Sequence, residues 1–223
     1  MYKRQAQYAR KPEFQQRFLN EAQATAQLDH PGIVKVYDYR QDGDYLYIVM
    51  EFIAGGNLSE MLQDLRAKQQ WIGLREAMEL VRQVGLALDY AHRKGVLHRD
   101  IKPANIMVKP EPAGELPYQP VITDLGLARL GEGLGLSQTG VSMGTPAYMS
   151  PEQALGKPTD ARSDVYSLGI LLYELAVGQL PFKANTISDA IALHSKQPPP
   201  PPRSLRPDPV SYTHLTLPTS DLV

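Results

Sequence analysis

His98-Arg99-Asp100-Ile101-Lys102-Pro103-Ala104-Asn105 is the stretch around which the rest of the chain can be read. It sets an acid, a lysine and a carboxamide within eight residues, and Asp124-Leu125-Gly126 follows nineteen residues after Asn105. Few chemistries need that set. Phosphoryl transfer does: a carboxylate to orient a hydroxyl, a carboxamide and a second carboxylate to hold magnesium, and a cation beside the transferred phosphate. Taken singly, Asp100, Asn105 and Asp124 are ordinary turn or cap residues.

The whole chain sets broad bounds. At 223 residues it can bury a real core, in one large domain or two small lobes. Apolar content of 43% and charged content of 21% are ordinary for a globular protein. A net charge of −1 gives no reason to expect nucleic acid or an anionic membrane as a bulk partner. There is no cysteine, which excludes disulfides and thiol chemistry and fits a reducing compartment. No apolar run reaches the roughly 18 residues that a membrane span needs.

Both ends read as foreign. Met1-Tyr2-Lys3-Arg4-Gln5 and the tail from Val210-Ser211-Tyr212-Thr213-His214 resemble translated sequencing-library adapter. GTG TAT AAG AGA CAG encodes the opening five, with GTG read as a start codon. Its reverse complement, shifted by two bases, encodes Val-Ser-Tyr-Thr and begins His. One inverted repeat therefore accounts for both ends; the alternative is a native flexible tail. Residues 1–5 and 210–223 are set aside as non-native, which leaves 6–209, cut at both sides.

Between these ends the pattern alternates. Phe14, Phe18, Ala22 and Leu28 mark an amphipathic helix over 13–29, closed by Pro31-Gly32. Residues 33–37 and 45–50 read as strands, with Asp42-Gly43 as the hairpin turn. Asn57 is a candidate cap for a helix over 58–67. The longest helical pattern covers 74–93 and ends at Gly95. Short strands fit at 106–108 and 121–123, with a proline-rich loop from Lys109 to Pro120 between them. Helices are expected over 161–177, ending at Gly178, and near 186–195. Pro198–Pro202 reads as an extended polyproline run, either a linker or a ligand for proline-binding domains. Early strands followed mostly by helices give an α+β class.

The order and spacing of His98–Asn105 and Asp124–Gly126 resemble the H-R-D-x-K-x-x-N and D-F-G segments of eukaryotic-like serine/threonine protein kinases of bacteria. Gly144-Thr145-Pro146-Ala147-Tyr148-Met149-Ser150-Pro151-Glu152 is similar to that family's substrate-docking loop and A-P-E end, with Ser150 in place of alanine. The resemblance implies a two-lobe kinase fold. Residues 6–50 would be a partial N-lobe, with its helix C and two or more strands, and 51–209 most of a helical C-lobe.

The resemblance also implies roles. Asp100 would be the catalytic base, Lys102 the cation on the transferred phosphate, and Asn105 and Asp124 the ligands of Mg2+ (or Mn2+). Thr145 would align the acceptor. Glu21 would pair the nucleotide-binding lysine, although by periodicity alone it is a solvated carboxylate. Met50, Glu51, Ile53, Asn57 and Met107 would line the ATP site as gatekeeper, hinge, ribose contact and floor. Arg99 would receive a phosphate from Ser137, Thr139 or Ser142, with Thr139 favoured. His98 would pack beneath the metal-binding segment, and Asp164 would hold the catalytic loop backbone. The arginine partner of Glu152 would fall beyond the cut.

Two departures stand out. The metal-binding segment carries Leu125 where the family has phenylalanine, and neither G-x-G-x-x-G nor V-A-I-K occurs in the 223 residues. The expectation is therefore a fragment of an ATP-dependent kinase acting on Ser or Thr of proteins, inactive or nearly so alone. The alternative is a non-catalytic pseudokinase module. A cytoplasmic location is implied, with a membrane anchor only through a segment outside these residues, and a kinase dimer as a further partner.

Overall fold

The computed structural model describes residues 12–43, 45–125 and 146–206, with side chains from Gln15 onward. The chain runs through helix α1 (Pro12–Ala26), strands β1 (Val36–Asp42) and β2 (Tyr45–Met50), and helices α2 (Leu58–Ala67) and α3 (Leu74–Arg93). A 3-10 turn (Pro103–Asn105) then leads into β3 (Ile106–Pro110) and β4 (Tyr118–Ile122). A second 3-10 turn (Pro146–Tyr148) precedes α4 (Pro151–Ala154), α5 (Ala161–Val177), α6 (Ile187–Lys196) and α7 (Pro202–Leu205). The class is α+β, as expected.

Two antiparallel ribbons, β1–β2 and β3–β4, make up the described sheet. α1 covers one face of the first ribbon, burying Phe18 and Ala22 against Val36, Leu46 and Ile48. The main core lies among the helices. α3 buries Ala77, Leu80, Val84, Ala87, Leu88 and Ala91 at helical spacing, against Leu171 and Leu175 of α5 and Leu58 and Leu62 of α2. Among the described residues no helix is long and apolar enough to cross a membrane.

Three expectations need correcting. The first strand is not 33–37 but 36–42. Ile33 and Val34 are instead buried between the two ribbons, with the Val34 N–H on the Ile122 carbonyl at 2.9 Å and the Ile122 N–H on Gly32 at 2.9 Å. Residues 109–120 are not all loop, because β3 extends to Pro110 and β4 begins at Tyr118. A two-stranded ribbon leaves one side of each strand unpaired, so the missing N–H of Pro110 or Pro120 need not break the ladder. The polyproline run is extended only to Pro201; Pro202 opens α7, where the lost N–H is already an orphan. This segment lies back along α5, with the Tyr173 hydroxyl on the Pro200 carbonyl (2.8 Å) and Arg206 on the Ala176 carbonyl (2.9 Å).

Candidate active site

The site is built outward from α5. Asp164 sits in the first turn of that helix, 1% exposed, and accepts three hydrogen bonds. They come from the backbone N–H of His98 (2.9 Å), the N–H of Arg99 (2.7 Å) and Nε2 of His92 (2.7 Å). Burial works to raise the Asp164 carboxyl, but these hydrogen bonds outweigh it and hold it below the usual carboxylate range. Gln153 of α4 adds a fourth tie, its amide on the Arg99 carbonyl at 2.7 Å. Arg99 needs these ties, since its φ of 65° is a left-handed conformation that costs a non-glycine residue about 1–2 kcal/mol. Its side chain donates from Nε to the Thr159 hydroxyl at 3.2 Å.

His98 is fully buried and joins two segments. Its Nδ1 accepts the Asp100 N–H (3.2 Å), and its Nε2–H donates to the Thr123 carbonyl (3.0 Å). Burial pushes its pKa down against the pull of Asp164, Asp100 and Asp124. A neutral ring with one donor and one acceptor fits both partners, so His98 is a strut. That matches its expected place beneath the segment of Asp124.

Asp100 Oδ2 receives two donors: Lys102 Nζ at 2.7 Å and Asn105 Nδ2 at 2.9 Å. Asn105 Nδ2 also reaches the Asp100 carbonyl at 2.8 Å. The amide nitrogen of Asn105 is thereby committed to Asp100, and its oxygen is left to face elsewhere. Asn105 ends the 3-10 turn just before β3, and its carbonyl accepts both the N–H (2.9 Å) and the hydroxyl (3.2 Å) of Thr123, just after β4. Asp124 follows at once, in a left-handed conformation with φ of 61°. The ribbon therefore brings Asn105 and Asp124 to the same end, and the charges of Asp100 and Asp124 both reach the His98 ring.

Leu125 is 1% exposed within the main core, as expected of an apolar residue there. Thr25 of α1 bonds the Glu21 carbonyl (2.9 Å) and reaches the Leu125 carbonyl at 3.5 Å. Glu21 lies one turn before Thr25, on the same face of α1.

Met50, Ile53 and Met107 meet Val34 and Val121 in a separate apolar cluster. The Glu51 N–H bonds the Lys35 carbonyl at 2.8 Å, and its carboxylate pairs Lys109 at 3.3 Å. Gly55, with φ of 120°, lets the chain lie against β3, where the Val108 N–H bonds the Gly56 carbonyl at 3.0 Å. Asn57 caps α2: its side-chain oxygen takes the Glu60 N–H at 3.0 Å, and Glu60 returns a bond to the Asn57 N–H at 3.1 Å. The cap uses one lone pair of that oxygen and leaves the amide nitrogen of Asn57 out of the cap.

Glu152 was expected to lack its partner. Ser163 supplies one, its hydroxyl donating to Oε1. Burial raises the Glu152 carboxyl, but the serine bond helps bring it below its ordinary value. Thr145, Ser137, Thr139 and Ser142 lie outside the described residues. His92, Gln153 and Thr159 were not anticipated.

The model of the protein kinase domain family matches residues 1–207. Serine/threonine-protein kinase PknA of Mycobacterium tuberculosis is 39% identical over 218 residues, covering 95% of this chain and 48% of PknA. Serine/threonine-protein kinase pkn3 of Myxococcus xanthus is 40% identical over 198 residues, or 86% of this chain and 35% of that protein. The chain thus spans about half the length of its curated relatives, or less. The crystal structure of the M. tuberculosis PknI kinase domain superposes with a TM-score of 0.69 at 28% identity, covering 92% of this chain and 70% of that one. The chain belongs to the protein kinase domain family, among the serine/threonine kinases of bacteria.

Proposed function

We propose that this chain carries the phosphotransfer centre of a serine/threonine kinase that moves the γ-phosphate of ATP to Ser or Thr hydroxyls of proteins. The observation that carries this is the cluster of Asp100, Lys102 and Asn105, tied through Thr123 to Asp124. Two carboxylates and a carboxamide oxygen are hard donors that suit Mg2+ or Mn2+, with phosphate oxygens completing the shell. Bound there by Asn105 and Asp124, the ion would neutralise charge on the phosphates.

Asp100 orients the acceptor hydroxyl and takes its proton on Oδ1, because Oδ2 is held by Lys102 and Asn105. Lys102 is then poised to move from Asp100 to the transferred phosphate. Met50, Ile53 and Met107 offer adenine an apolar slot, Glu51 and Ile53 offer it backbone groups, and Asn57 offers an amide to the ribose. Glu21 of α1 would pair a nucleotide-binding lysine. Thr145 would align the acceptor with Asp100. Arg99 would take a phosphate from Thr139, or from Ser137 or Ser142, as a bidentate pair.

Residues 1–5 and 210–223 are read as non-native. Since no G-x-G-x-x-G or V-A-I-K is present, turnover by the chain as it stands is expected to be negligible. The test is titration of a fluorescent ATP analogue with and without Mg2+. Mg2+-dependent binding, displaced by ATP and lost in Asp124→Asn, is expected. No binding, or binding indifferent to Asp124, refutes the nucleotide reading. Turnover abolished by Asp100→Ala would refute the expectation of inactivity.

A further inference from the structure

The proline run after α6 is an exposed apolar strip that the phosphotransfer chemistry does not use. Pro198-Pro199-Pro200-Pro201-Pro202 follows Gln197, and every residue from Ser195 to Leu205 is exposed. Apolar surface that stays contiguous in water marks a place where another molecule can bind.

A linker would hang free between its ends. This run is tied at three places. At its start the Gln197 N–H closes α6 on the Leu193 carbonyl (3.1 Å). At its middle the Tyr173 hydroxyl of α5 donates to the Pro200 carbonyl (2.8 Å). At its end Ser204 bonds the Pro201 carbonyl through its N–H (2.9 Å) and its hydroxyl (2.7 Å), and Arg206 reaches the Ala176 carbonyl of α5 (2.9 Å). The proline ring fixes φ near about −65°. Pro201, with φ of −58° and ψ of 126°, lies close to polyproline II. That conformation rises about 3.1 Å per residue with about three residues per turn, so Pro198 and Pro201 share one edge. Among the described residues the Pro198 and Pro199 carbonyls accept no hydrogen bond.

Charge points to the partner. No Asp or Glu lies between Asp189 and Asp208, whereas Lys196, Arg203 and Arg206 do. Lys196 and Arg203 bracket the run and are exposed. A groove of aromatic rings can pack on proline edges spaced P-x-x-P, and donors among those rings can bond open carbonyls. Acidic side chains at the rim of such a groove complement the flanking cations. The ordering cost that a flexible segment meets on binding is already borne here by the ties to α5.

We infer that residues 196–203 are a preformed docking strip for a second protein, one that carries an aromatic-lined, acid-rimmed groove of the kind that binds polyproline II. Neither Asp100 nor Asp124 takes part in this strip, so it and the phosphotransfer reading can fail separately.

The test is a titration of a 15N-labelled SH3 domain, whose groove has this chemistry, with the whole chain. Groove resonances should shift and saturate. A synthetic peptide of residues 195–207 is the untied comparison and should bind at least about threefold more weakly. Tyr173→Phe releases the middle of the run and should move the chain toward the peptide. Pro198→Ala with Pro201→Ala should weaken binding at least about tenfold. Lys196→Glu should weaken it about threefold, by a margin that shrinks at high salt. Lys196→Glu lies on the surface and should leave the unfolding midpoint in place, which separates lost binding from lost fold. Groove resonances that ignore the whole chain overturn the inference. So does binding that is indifferent to the paired alanines or to Lys196→Glu, or a peptide that binds more tightly than the chain.

Discussion

Replacing Asp164 by Asn removes a charge and almost no volume, so its effect isolates the three hydrogen bonds at the start of α5. Oδ2 serves His98 and His92, and Oδ1 serves Arg99. Asparagine can offer an oxygen at only one of these places. With its oxygen toward His98 and His92, its NH2 faces the Arg99 N–H, donor against donor. A buried unsatisfied N–H costs about 1–3 kcal/mol, and the two remaining bonds each lose about 1 kcal/mol when the acceptor is no longer ionised. Arg99 can then relax from its left-handed conformation, which returns about 1–2 kcal/mol. The net loss is about 1–4 kcal/mol, a large share of the stability of an ordinary domain. Urea unfolding should show it as a lower midpoint with an unchanged slope. Asp89→Asn is the control: that residue is exposed and pairs Arg93 on the surface, so its loss should stay within about 0.5 kcal/mol. Amide exchange at His98 and Arg99 should accelerate in Asp164→Asn alone. If Asp164→Asn matches Asp89→Asn, or if exchange at 98–99 is unchanged, α5 does not anchor this segment.

Three further outcomes follow from single contacts. Gly55→Ala places a Cβ 2.4 Å from the Val108 carbonyl at a φ of 120°, so thermal unfolding should show a loss of at least about 1–3 kcal/mol. Gly178→Ala places a Cβ 2.0 Å from the indole of Trp71, the one tryptophan in the sequence. Displacement of that ring should appear as a shift in the intrinsic emission maximum, and an unchanged spectrum would show that Trp71 does not rest there. Stability should also fall in acid. Burial lowers the pKa of both His98 and His194, so each binds a proton more readily when unfolded. Their contribution is complete above about pH 6.5 and drops below it by at most about 1.4 kcal/mol per pH unit for each histidine. His194 Nε2 has no hydrogen-bond partner among the described residues, so His194→Leu should flatten the decline between about pH 6.5 and 5. Equal slopes in the two proteins would be evidence against this.

Local pattern carried much of the fold. α3 falls on 74–93 because its apolar residues repeat at 3.6, and α2 starts at Leu58 because Asn57 and Glu60 form a capping box. Gly178 ends α5 in a left-handed conformation, the usual job of glycine there. β1 was misjudged because Val-Tyr-Asp-Tyr-Arg-Gln-Asp covers a ribbon with one exposed face, and looks polar next to Ile33-Val34. Those two apolar residues serve a junction between ribbons, which no period-2 pattern reveals. The prolines at 110 and 120 masked the ends of β3 and β4 for a similar reason. Within the site, residues close in sequence could be grouped in advance. Partners with no local signal were missed: His92 to Asp164, Gln153 to Arg99 and Arg66 to Glu174 are 72, 54 and 108 residues apart. Ser163 is nearer to Glu152, eleven residues away, but a serine at that separation carries no pairing signal of its own.

The central claim is that Asn105 and Asp124 grip a divalent ion carried by a nucleotide beside Asp100. Paramagnetic broadening by Mn2+ with ADP, read on the assigned backbone amides, addresses it directly. The amides of Asn105, Ile106, Thr123 and Asp124 should broaden first, those of α6 should stay sharp, and Asp124→Asn should abolish the effect. Broadening centred elsewhere, or none at saturating Mn2+ and ADP, would contradict the claim.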